Sequence, residues 1–277
     1  MSKIPLIKLA DGNLIPQIGL GLWQITDEVK FKDSFKAAVS AGYRHFDSAQ
    51  AYGNEQFLGD AVRRSCEDNK LKRSDFFITT KIAVQNFGDK KSIDSVKKSL
   101  QKLGMEYVDL LLLHFPVPVL RKKTWQAAEE MQSLGLARSI GVSNFTISHL
   151  KHLEGYAKQL PVVNQVEMHI FLQQTELNNY CKQQNIVIEA YSPLAHAKEM
   201  NNRIINSLAA KHNIGYAQIM LRWALQQDVV ILPKSVTPQR IRENLTSLDF
   251  RLDASDMELL KNEDRNLHTC WNPELVP

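Results

Sequence analysis

A repeating alternation of short apolar runs and amphipathic segments restricts the fold of this chain more than any other feature. Residues 108–113 and 186–188 are almost continuously apolar. Runs of this kind indicate strands that are buried on both faces, and therefore parallel strands covered by helices. On this basis the sequence predicts strands at residues 18–21, 43–47, 76–81, 108–114, 137–143, 162–167, 186–191 and 228–232.

The segments between these strands space their apolar residues at the period of a helix. They predict helices near residues 29–41, 54–68, 90–103, 120–134, 146–157, 174–184, 200–226 (in one piece or two) and 238–247. Ahead of them, residues 5–9 and 13–18 flank Asp11 and Gly12, a dipeptide that is typical of hairpin turns.

Eight strand–helix units in 277 residues predict an α/β fold: a single (β/α)8 TIM barrel with a short N-terminal β-hairpin. An open doubly wound sheet of the dinucleotide-binding type is disfavoured, because no GxGxxG motif follows the first strand. No low-complexity linker or composition break divides the chain, so we expect one domain over residues 1–277.

The composition excludes several classes of protein. Hydrophobic residues make up 44% and charged residues 23% of the chain, which is ordinary for a soluble globular protein. The net charge of +4 comes without a long basic run, so we expect no nucleic-acid partner. The most apolar run, residues 108–119, is too short to cross a bilayer and contains His114. We therefore expect no membrane partner.

The cysteines and the N-terminus indicate the compartment. Cys66, Cys181 and Cys270 are far apart and show no CxxC spacing. They are therefore interpreted as reduced thiols. The first residues lack the apolar core and the small-residue cleavage pattern of a signal peptide. Both observations predict a cytoplasmic protein.

Four chemically active side chains stand at or just beyond the ends of three successive predicted strands. Asp47 ends one strand and is followed five residues later by Tyr52, whereas Lys81 and His114 end the next two strands. In a barrel, successive strands are neighbours and their carboxyl ends open on one face. The four side chains are therefore predicted to meet in one pocket.

The four residue types fit the protonation of a carbonyl group. A free phenol has a pKa of about 10, which is too high for efficient acid–base work at neutral pH. The ammonium of Lys81 would lower the pKa of Tyr52, and Asp47 would keep Lys81 charged and in place. His114 would donate a hydrogen bond to a substrate oxygen. None of these groups supplies electrons, so a reduction would require a cofactor.

Each of these residues taken alone has a more ordinary interpretation. A single aspartate at a strand end usually caps a turn, a loop tyrosine usually packs, and a strand-end lysine is usually solvated. It is their joint occurrence at three successive strand ends that favours a catalytic site. No metal is expected, because His45, His114 and His169 lie on different predicted strands without paired ligand spacing.

The segment after the last predicted strand has the composition of an anion site. Thr237 is predicted to cap a helix that begins with Pro238, and Lys234, Ser235 and Arg240 stand close by in sequence. A helix N-terminus with such neighbours favours a bound phosphate. The alternative is an ordinary capped helix with solvated charges.

Residues at other strand ends can contact a planar cofactor. Tyr191 could stack on an aromatic ring, or simply pack against the barrel. Ser143, Asn144 and Gln165 could hydrogen-bond an amide group, although such residues are also common in loops.

The motifs along the whole chain resemble those of the aldo-keto reductases. The matching segments are GLGLW at 19–23, GYRHFDSA at 42–49, YGNE at 52–55, TTK at 79–81, LLH at 112–114, GVSNF at 141–145, EAYSPL at 189–194, PKS at 233–235, RI at 240–241 and EN at 243–244. The compact length is similar to that of the microbial and protozoan branch, which includes 2,5-diketo-gluconate reductases and prostaglandin F synthase-like enzymes. This resemblance implies an oxidoreductase that reduces aldehydes and ketones with NADPH rather than NADH.

The resemblance also implies a role for each matching residue. Tyr52 would be the general acid, tuned by Lys81 and Asp47, with His114 orienting the carbonyl. The implied cofactor residues are Ser143, Asn144 and Gln165 at the nicotinamide amide, Tyr191 beneath the ring, Lys234, Ser235 and Arg240 at the 2′-phosphate, and Glu243 and Asn244 near the adenine. Ser192, Leu194 and Val236 are also implied to bind the cofactor. Trp23, His114 and Phe115 would line the substrate site. A small-molecule carbonyl substrate and a monomer are expected.

The chain departs from the family pattern in two places. Phe115 stands where the family often has tryptophan, and residues 195–197 replace glycines that many relatives have in this loop. Trp271 either reaches back over the barrel mouth or packs on the barrel wall.

Two other classes of function remain as alternatives. One is a barrel lyase in which Lys81 forms a Schiff base, and the other is a module that binds the nucleotide without useful turnover.

Overall fold

The structure is a computed structural model that describes residues 3–69 and 71–277. It begins with an antiparallel hairpin of β1 (Leu6–Lys8) and β2 (Leu14–Pro16). The turn between them contains Gly12 at a φ of 90°, a conformation that glycine adopts without steric cost. The predicted hairpin is therefore present.

Eight parallel strands follow, and their order in the sheet is their order in the chain. They are β3 (Leu20–Gly21), β4 (His45–Asp47), β5 (Phe77–Ile82), β6 (Val108–Leu113), β7 (Ala137–Ser143), β8 (Val163–Glu167), β9 (Val187–Tyr191) and β10 (Val230–Leu232). The backbone N–H of Gly19 donates to the Ile231 carbonyl at 2.9 Å, and the N–H of Ile231 donates to the Gln17 carbonyl at 2.9 Å. These bonds join the first strand to the last, and the predicted (β/α)8 barrel is confirmed.

Ten α-helices surround the strands in the described ranges. They are α1 (Glu28–Ala41), α2 (Glu55–Asn69), α3 (Lys90–Leu103), α4 (Arg121–Ser133), α5 (Ile147–Glu154), α6 (Thr175–Gln183), α7 (Arg203–Lys211), α8 (Tyr216–Leu225), α9 (Pro238–Asn244) and α10 (Ala254–Lys261). The helical pattern over 200–226 corresponds to two helices. None of the helices in the described residues is long and apolar enough to traverse a lipid bilayer.

Helix α10 was not predicted from the sequence. The Asp253 side chain accepts a hydrogen bond from the Asp256 N–H at 2.9 Å, and the Asp256 side chain accepts one from the Asp253 N–H at 3.2 Å. This reciprocal arrangement is a capping box, and it fixes the start of the helix. The two aspartates at a spacing of three were the available signal.

The barrel interior changes character along its axis. Phe77, Val163 and Val230, the first residues of three strands, belong to an apolar cluster with Leu9 and Ile15 of the hairpin region. The hairpin therefore closes the amino-terminal end of the barrel. Toward the other end buried residues become polar, among them Asp47, Thr79, Lys81, Gln165 and Glu189. The larger apolar cluster lies between the sheet and the helices.

Contact between α2 and α3 depends on a residue without a side chain. A Cβ atom at Gly59 would lie 2.2 Å from the Leu103 carbonyl oxygen. Gly59→Ala should force the helices apart and lower the free energy of unfolding by about 2 kcal/mol, as overpacking typically does. Denaturant unfolding monitored by circular dichroism measures this change.

A matched control is Gly155→Ala. Gly155 has a φ of −68°, and the nearest atom to its added Cβ is the His152 carbonyl oxygen at 3.5 Å, an ordinary contact. This variant should unfold within about 0.5 kcal/mol of the parent. Equal stabilities for the two variants would contradict the close approach of α2 and α3.

Candidate active site at the barrel mouth

Lys81 is the centre of the hydrogen-bonded group at the carboxyl end of the barrel. Its side chain is fully buried, and its Nζ donates to Asp47 Oδ1 at 2.8 Å and Oδ2 at 2.7 Å. Nζ also lies 3.0 Å from the Ser48 carbonyl oxygen and 3.1 Å from Tyr52 Oη. Burial is the largest single effect and would lower the pKa of Lys81, but the charges and hydrogen bonds of Asp47 and Tyr52 together outweigh it, and the pKa is raised. The amine is therefore an ammonium.

Tyr52 and His114 complete the group. Tyr52 ends a short 3-10 turn after β4, and Gly53 follows in a left-handed conformation with a φ of 71°. The Tyr52 ring meets the His114 ring edge to face, with 5.7 Å between the ring centroids. The structure thus brings together all four residues that the strand ends predicted.

The pKa of Tyr52 moves in the direction opposite to that predicted. Burial is the largest single effect and raises it, whereas the charge and the hydrogen bond of Lys81 lower it. Asp47 and Glu189 raise it further. The predicted lowering of the Tyr52 pKa was wrong, because it took account of the charge of Lys81 but not of the burial of the phenol. Tyr52 is a protonated phenol at neutral pH, which suits a proton donor.

His114 is neutral in this environment. Burial, followed by the positive charge of Lys81, lowers its pKa to about 3. A neutral imidazole offers one N–H donor and one acceptor nitrogen. His114 can therefore donate a hydrogen bond to a neutral oxygen without adding charge to the site.

Behind Asp47 lies a buried carboxyl group that the sequence analysis missed. Gln165 Nε2 donates to Asp47 Oδ1 at 2.8 Å and to Glu189 Oε2 at 2.5 Å. Glu189 is fully buried inside the barrel. The available signal was a glutamate within an otherwise apolar strand.

The residues predicted to hold an amide and a ring form one hydrogen-bonded set. Tyr191 Oη donates to Asn144 Oδ1 at 2.7 Å, and Asn144 Nδ2 donates to Ser143 Oγ at 3.0 Å and to the His114 carbonyl at 3.1 Å. Ser143 Oγ in turn donates to the Gln165 carbonyl at 2.9 Å. The ends of β7, β8 and β9 are therefore joined beside the Tyr52 pocket.

Lys234 and Arg240 stand exposed at the start of α9. Over the described ranges, neither side chain has a hydrogen bond or an ion pair. The Thr237 side chain does not form the capping hydrogen bond that the sequence predicted. Ser235 Oγ instead accepts from the Thr237 N–H at 3.1 Å. Two unpaired cations therefore flank this helix start.

The other predicted cofactor residues lie around the same edge. Glu243 accepts a hydrogen bond from Gln239 at 2.7 Å, and Asn244 is buried at the end of α9. Val236 and Leu194 are half-buried and pack against the hydrophobic core.

The loop after β9 keeps a backbone that glycine adopts most readily. Ser192, Ala195, His196 and Ala197 have φ angles of 49°, 48°, 52° and 59°. Left-handed conformations cost non-glycine residues about 1 kcal/mol or more each. Residues 195–197 therefore follow a left-handed path although none of them is glycine.

Aromatic side chains form the rim of the mouth. Trp23 is partly exposed and its ring meets the His196 ring at 5.8 Å, whereas Phe115 meets Trp271 edge to face at 6.0 Å. Trp271 remains 80% exposed. The C-terminal segment thus reaches back to the mouth, which was one of the two alternatives for Trp271.

Glu167, the last residue of β8, anchors this C-terminal segment. Its carboxylate accepts hydrogen bonds from the Thr269 N–H at 2.8 Å, the Thr269 hydroxyl and the Cys270 N–H at 3.1 Å. Burial alone would raise the pKa of Glu167, but the hydrogen bonds from His169, Thr269 and Cys270 bring it to about 2. The carboxylate is therefore bound in its charged form.

Glu167→Gln should loosen this anchor. The amide can accept at only one atom, so hydrogen bonds to a charged acceptor worth about 1.5–3 kcal/mol are lost. Unfolding at pH 7 should show that decrease, and limited proteolysis should cut the C-terminal segment faster. Because the folded pKa is depressed, the difference from the parent should persist above about pH 4.5 and shrink as the pH falls toward 2.

Glu274→Gln is the control, since Glu274 is an exposed carboxylate in the same segment. It should leave both stability and cleavage unchanged. Identical behaviour of the two variants at pH 7 would show that Glu167 is not the anchor.

Comparison with known proteins agrees with this geometry. Residues 17–264 match the model of the Aldo/keto reductase family. Methylglyoxal reductase DkgA of Escherichia coli K12 is 40% identical over 278 aligned positions, which cover 99% of this chain and 98% of that protein. Glyoxal reductase of Bacillus subtilis is 38% identical over 268 positions, which cover 97% and 96%.

A solved structure leads to the same conclusion. The aldo-keto reductase of Bombyx mori in complex with NADP has a TM-score of 0.93 at 29% identity, covering 100% of this chain and 99% of that one. The oxidoreductase resemblance drawn from the motifs is confirmed, and the chain belongs to the aldo/keto reductase family.

Proposed function

We propose that this protein reduces small aldehydes and ketones to alcohols, with NADPH as the hydride donor and Tyr52 as the general acid. The observation that carries the proposal is the hydrogen bond of 3.1 Å between Lys81 Nζ and Tyr52 Oη. It combines a proton donor with a fixed positive charge that stabilises the donor after the proton has left.

The residues present fit a bound dinucleotide phosphate. Lys234 and Arg240 are exposed cations for the 2′-phosphate, Ser235 supplies a hydroxyl beside them, and the Tyr191 ring borders the catalytic group. Gln165 uses its Nε2 for two carboxyl groups, which leaves its Oε1 for an amide N–H of the cofactor. NADPH would supply the hydride that none of these side chains can provide.

Protonation of the substrate oxygen follows from the charges around Tyr52. The phenol is protonated at neutral pH, so it can donate as negative charge develops on the carbonyl oxygen. Lys81 then stabilises the phenolate, and Asp47 keeps Lys81 charged. His114 donates its N–H to the same oxygen and orients it.

The substrate class is inferred from the mouth and from the relatives. The printed names of two relatives are methylglyoxal reductase and glyoxal reductase, which denote small dicarbonyl compounds. The aromatic rim of Trp23, Phe115 and Trp271 offers apolar contacts to a compact substrate. A single domain, a monomer and a cytoplasmic location stay predictions.

The lyase alternative is disfavoured by the state of Lys81. A Schiff base requires a free amine lone pair, whereas both Asp47 oxygens hold this group as an ammonium. The alternative of a nucleotide-binding module without turnover is disfavoured by the complete group of four residues. It would predict tight NADPH binding with negligible rates on a panel of aldehydes.

Tyr52→Phe should abolish reduction and preserve cofactor binding. Loss of a general acid typically lowers kcat by about 10²–10⁴-fold. The Kd of NADPH should stay unchanged, because in the proposed mechanism the phenol hydroxyl contacts the substrate and not the cofactor. NADPH absorbance decay with methylglyoxal measures the rate, and quenching of protein fluorescence measures the Kd of NADPH. Tyr180→Phe removes a surface phenol and should change neither. A Tyr52→Phe enzyme with near-parental rates would refute the assignment.

Lys234→Ala and Arg240→Ala should each weaken the binding of NADPH more than the binding of NADH. Each removes a charge-assisted contact to the 2′-phosphate, so the Kd of NADPH should rise about tenfold or more. The Kd of NADH, which lacks that phosphate, should change little. Arg242→Ala removes another exposed arginine of α9 and should leave both constants unchanged. Equal weakening of NADPH and NADH would argue against a 2′-phosphate site.

A further inference from the structure

Glu189 is a carboxyl group in the barrel interior for which the proposed mechanism has no direct use. Its Cα pairs with that of Gln165 across β8 and β9, so the two side chains point inward side by side. Glu189 Oε2 accepts from Gln165 at 2.5 Å, and Oε1 lies 3.4 Å from His45 Nε2. Among the described residues, Oε1 accepts no hydrogen bond. A fully buried carboxyl with one unsatisfied oxygen is costly, and this cost suggests a role beyond packing.

A continuous line of polar contacts joins Glu189 to the proposed general acid. Gln165 Nε2 bridges Glu189 and Asp47, Asp47 holds Lys81 through both oxygens, and Lys81 contacts Tyr52. Glu189, Gln165, Asp47 and Lys81 are buried, and Tyr52 is half-buried. Charges in such an interior act on one another more strongly than charges in water.

We propose that Glu189 is a positioning residue: it fixes the Gln165 amide against Asp47, and its carboxylate charge keeps the proton on Tyr52 at alkaline pH. This inference rests on the role proposed for Tyr52 above. It assigns Glu189 no contact with the substrate or the cofactor.

The first part of this role follows from the two protons of an amide nitrogen. Gln165 Nε2 has two N–H donors, and the carboxyl groups of Asp47 and Glu189 each take one. If Glu189 accepted none, a single N–H bond to Asp47 would hold the amide, and the amide could swing about that bond. Glu189 therefore fixes the orientation of the Gln165 amide against Asp47.

The second part follows from the charged and titratable groups that face Glu189. These are Asp47 and His45 on β4, Tyr52 on the turn after β4, and Lys81 on β5. Burial and the charge of Asp47 raise the pKa of Glu189 to about 8. Burial lowers the pKa of His45 to about 3, so His45 is neutral and does not offset a negative charge nearby.

The direction of the effect can be worked out from these states. Above about pH 8 Glu189 becomes a carboxylate, and its charge raises the pKa of Tyr52. A second negative charge in the same interior is unfavourable, so the phenol keeps its proton to higher pH. Removing the Glu189 charge should therefore let Tyr52 lose its proton, and the enzyme lose reductase activity, at lower pH.

Glu189→Gln tests this directly, because glutamine keeps the size and the acceptor oxygen but cannot become charged. The rate of methylglyoxal reduction at saturating NADPH is measured from pH 6 to 10.5. The pH at which the alkaline loss of activity is half complete should be lower than in the parent by about half to one pH unit. Glu129→Gln replaces another buried glutamate, on α4 outside the barrel, and its profile should overlay that of the parent.

A second measurement does not depend on turnover. Ultraviolet difference absorbance follows the ionisation of tyrosines, and subtracting the titration of Tyr52→Phe isolates the signal of Tyr52. In the background of Glu189→Gln this signal should appear at lower pH than in the parent. Circular dichroism at pH 7 and 10 checks that the variant remains folded.

The outcomes separate this inference from the proposed function. If the parent fails to reduce carbonyls, or Tyr52→Phe remains active, the proposed function itself is refuted. If the parent is active and Tyr52→Phe is inactive, but the profile of Glu189→Gln overlays that of the parent, only the role of Glu189 is refuted. A uniform loss at all pH values, with an unshifted tyrosine titration, would likewise refute the charge effect and leave a structural role.

Discussion

The ion pair between Lys81 and Asp47 is the interaction on which the site depends. Placing an ammonium inside a barrel costs several kcal/mol in lost hydration, and only close acceptors offset that cost. Both oxygens of Asp47 and the Ser48 carbonyl provide them. The pair lies where β4 and β5 are direct neighbours, so the parallel register of the sheet brings the partners together. These contacts hold the Lys81 ammonium in a fixed position beside the Tyr52 hydroxyl.

The barrel separates stability from chemistry along its axis. Its amino-terminal end is closed by apolar contacts between the hairpin region and the first residues of the strands. Its carboxyl end contains polar groups that would be destabilising without partners. Hydrogen bonds join the polar side chains there one to the next, from Glu189 through Gln165 and Asp47 to Lys81. Each of these residues contacts the next, and the proposed effect of the Glu189 charge on Tyr52 acts within this group.

Much of this arrangement was predictable from local patterns. Continuous apolar runs indicated parallel strands, and the residues at the ends of three predicted strands, Asp47, Lys81 and His114, lie together at the mouth. Those predictions succeed because strand direction alone decides where a strand-end side chain points. The helix α10 was missed because its capping residues precede a segment of weak apolar periodicity.

The remaining features depend on three-dimensional burial, which no local pattern reports. The pKa of Tyr52 rises because the surrounding chain excludes water, and the sequence shows only its charged neighbour Lys81. Glu189 and Glu167 look like ordinary strand residues until their partners, which come from β8 and from the C-terminal segment, are known. The same holds for Ser235, which replaces Thr237 as the acceptor at the start of α9.

The attachment of the C-terminal segment has an evolutionary consequence. Trp271 borders the opening although it is more than 150 residues from Phe115 in sequence, and the segment is held by Glu167 at one place and by the His149 side chain, 2.8 Å from the Val276 carbonyl, at another. None of these anchors belongs to the Lys81 group. Insertions or exchanges between the anchors would therefore reshape the opening while the proton-donating apparatus stays intact. Selectivity and rate can diversify separately in descendants of such a chain.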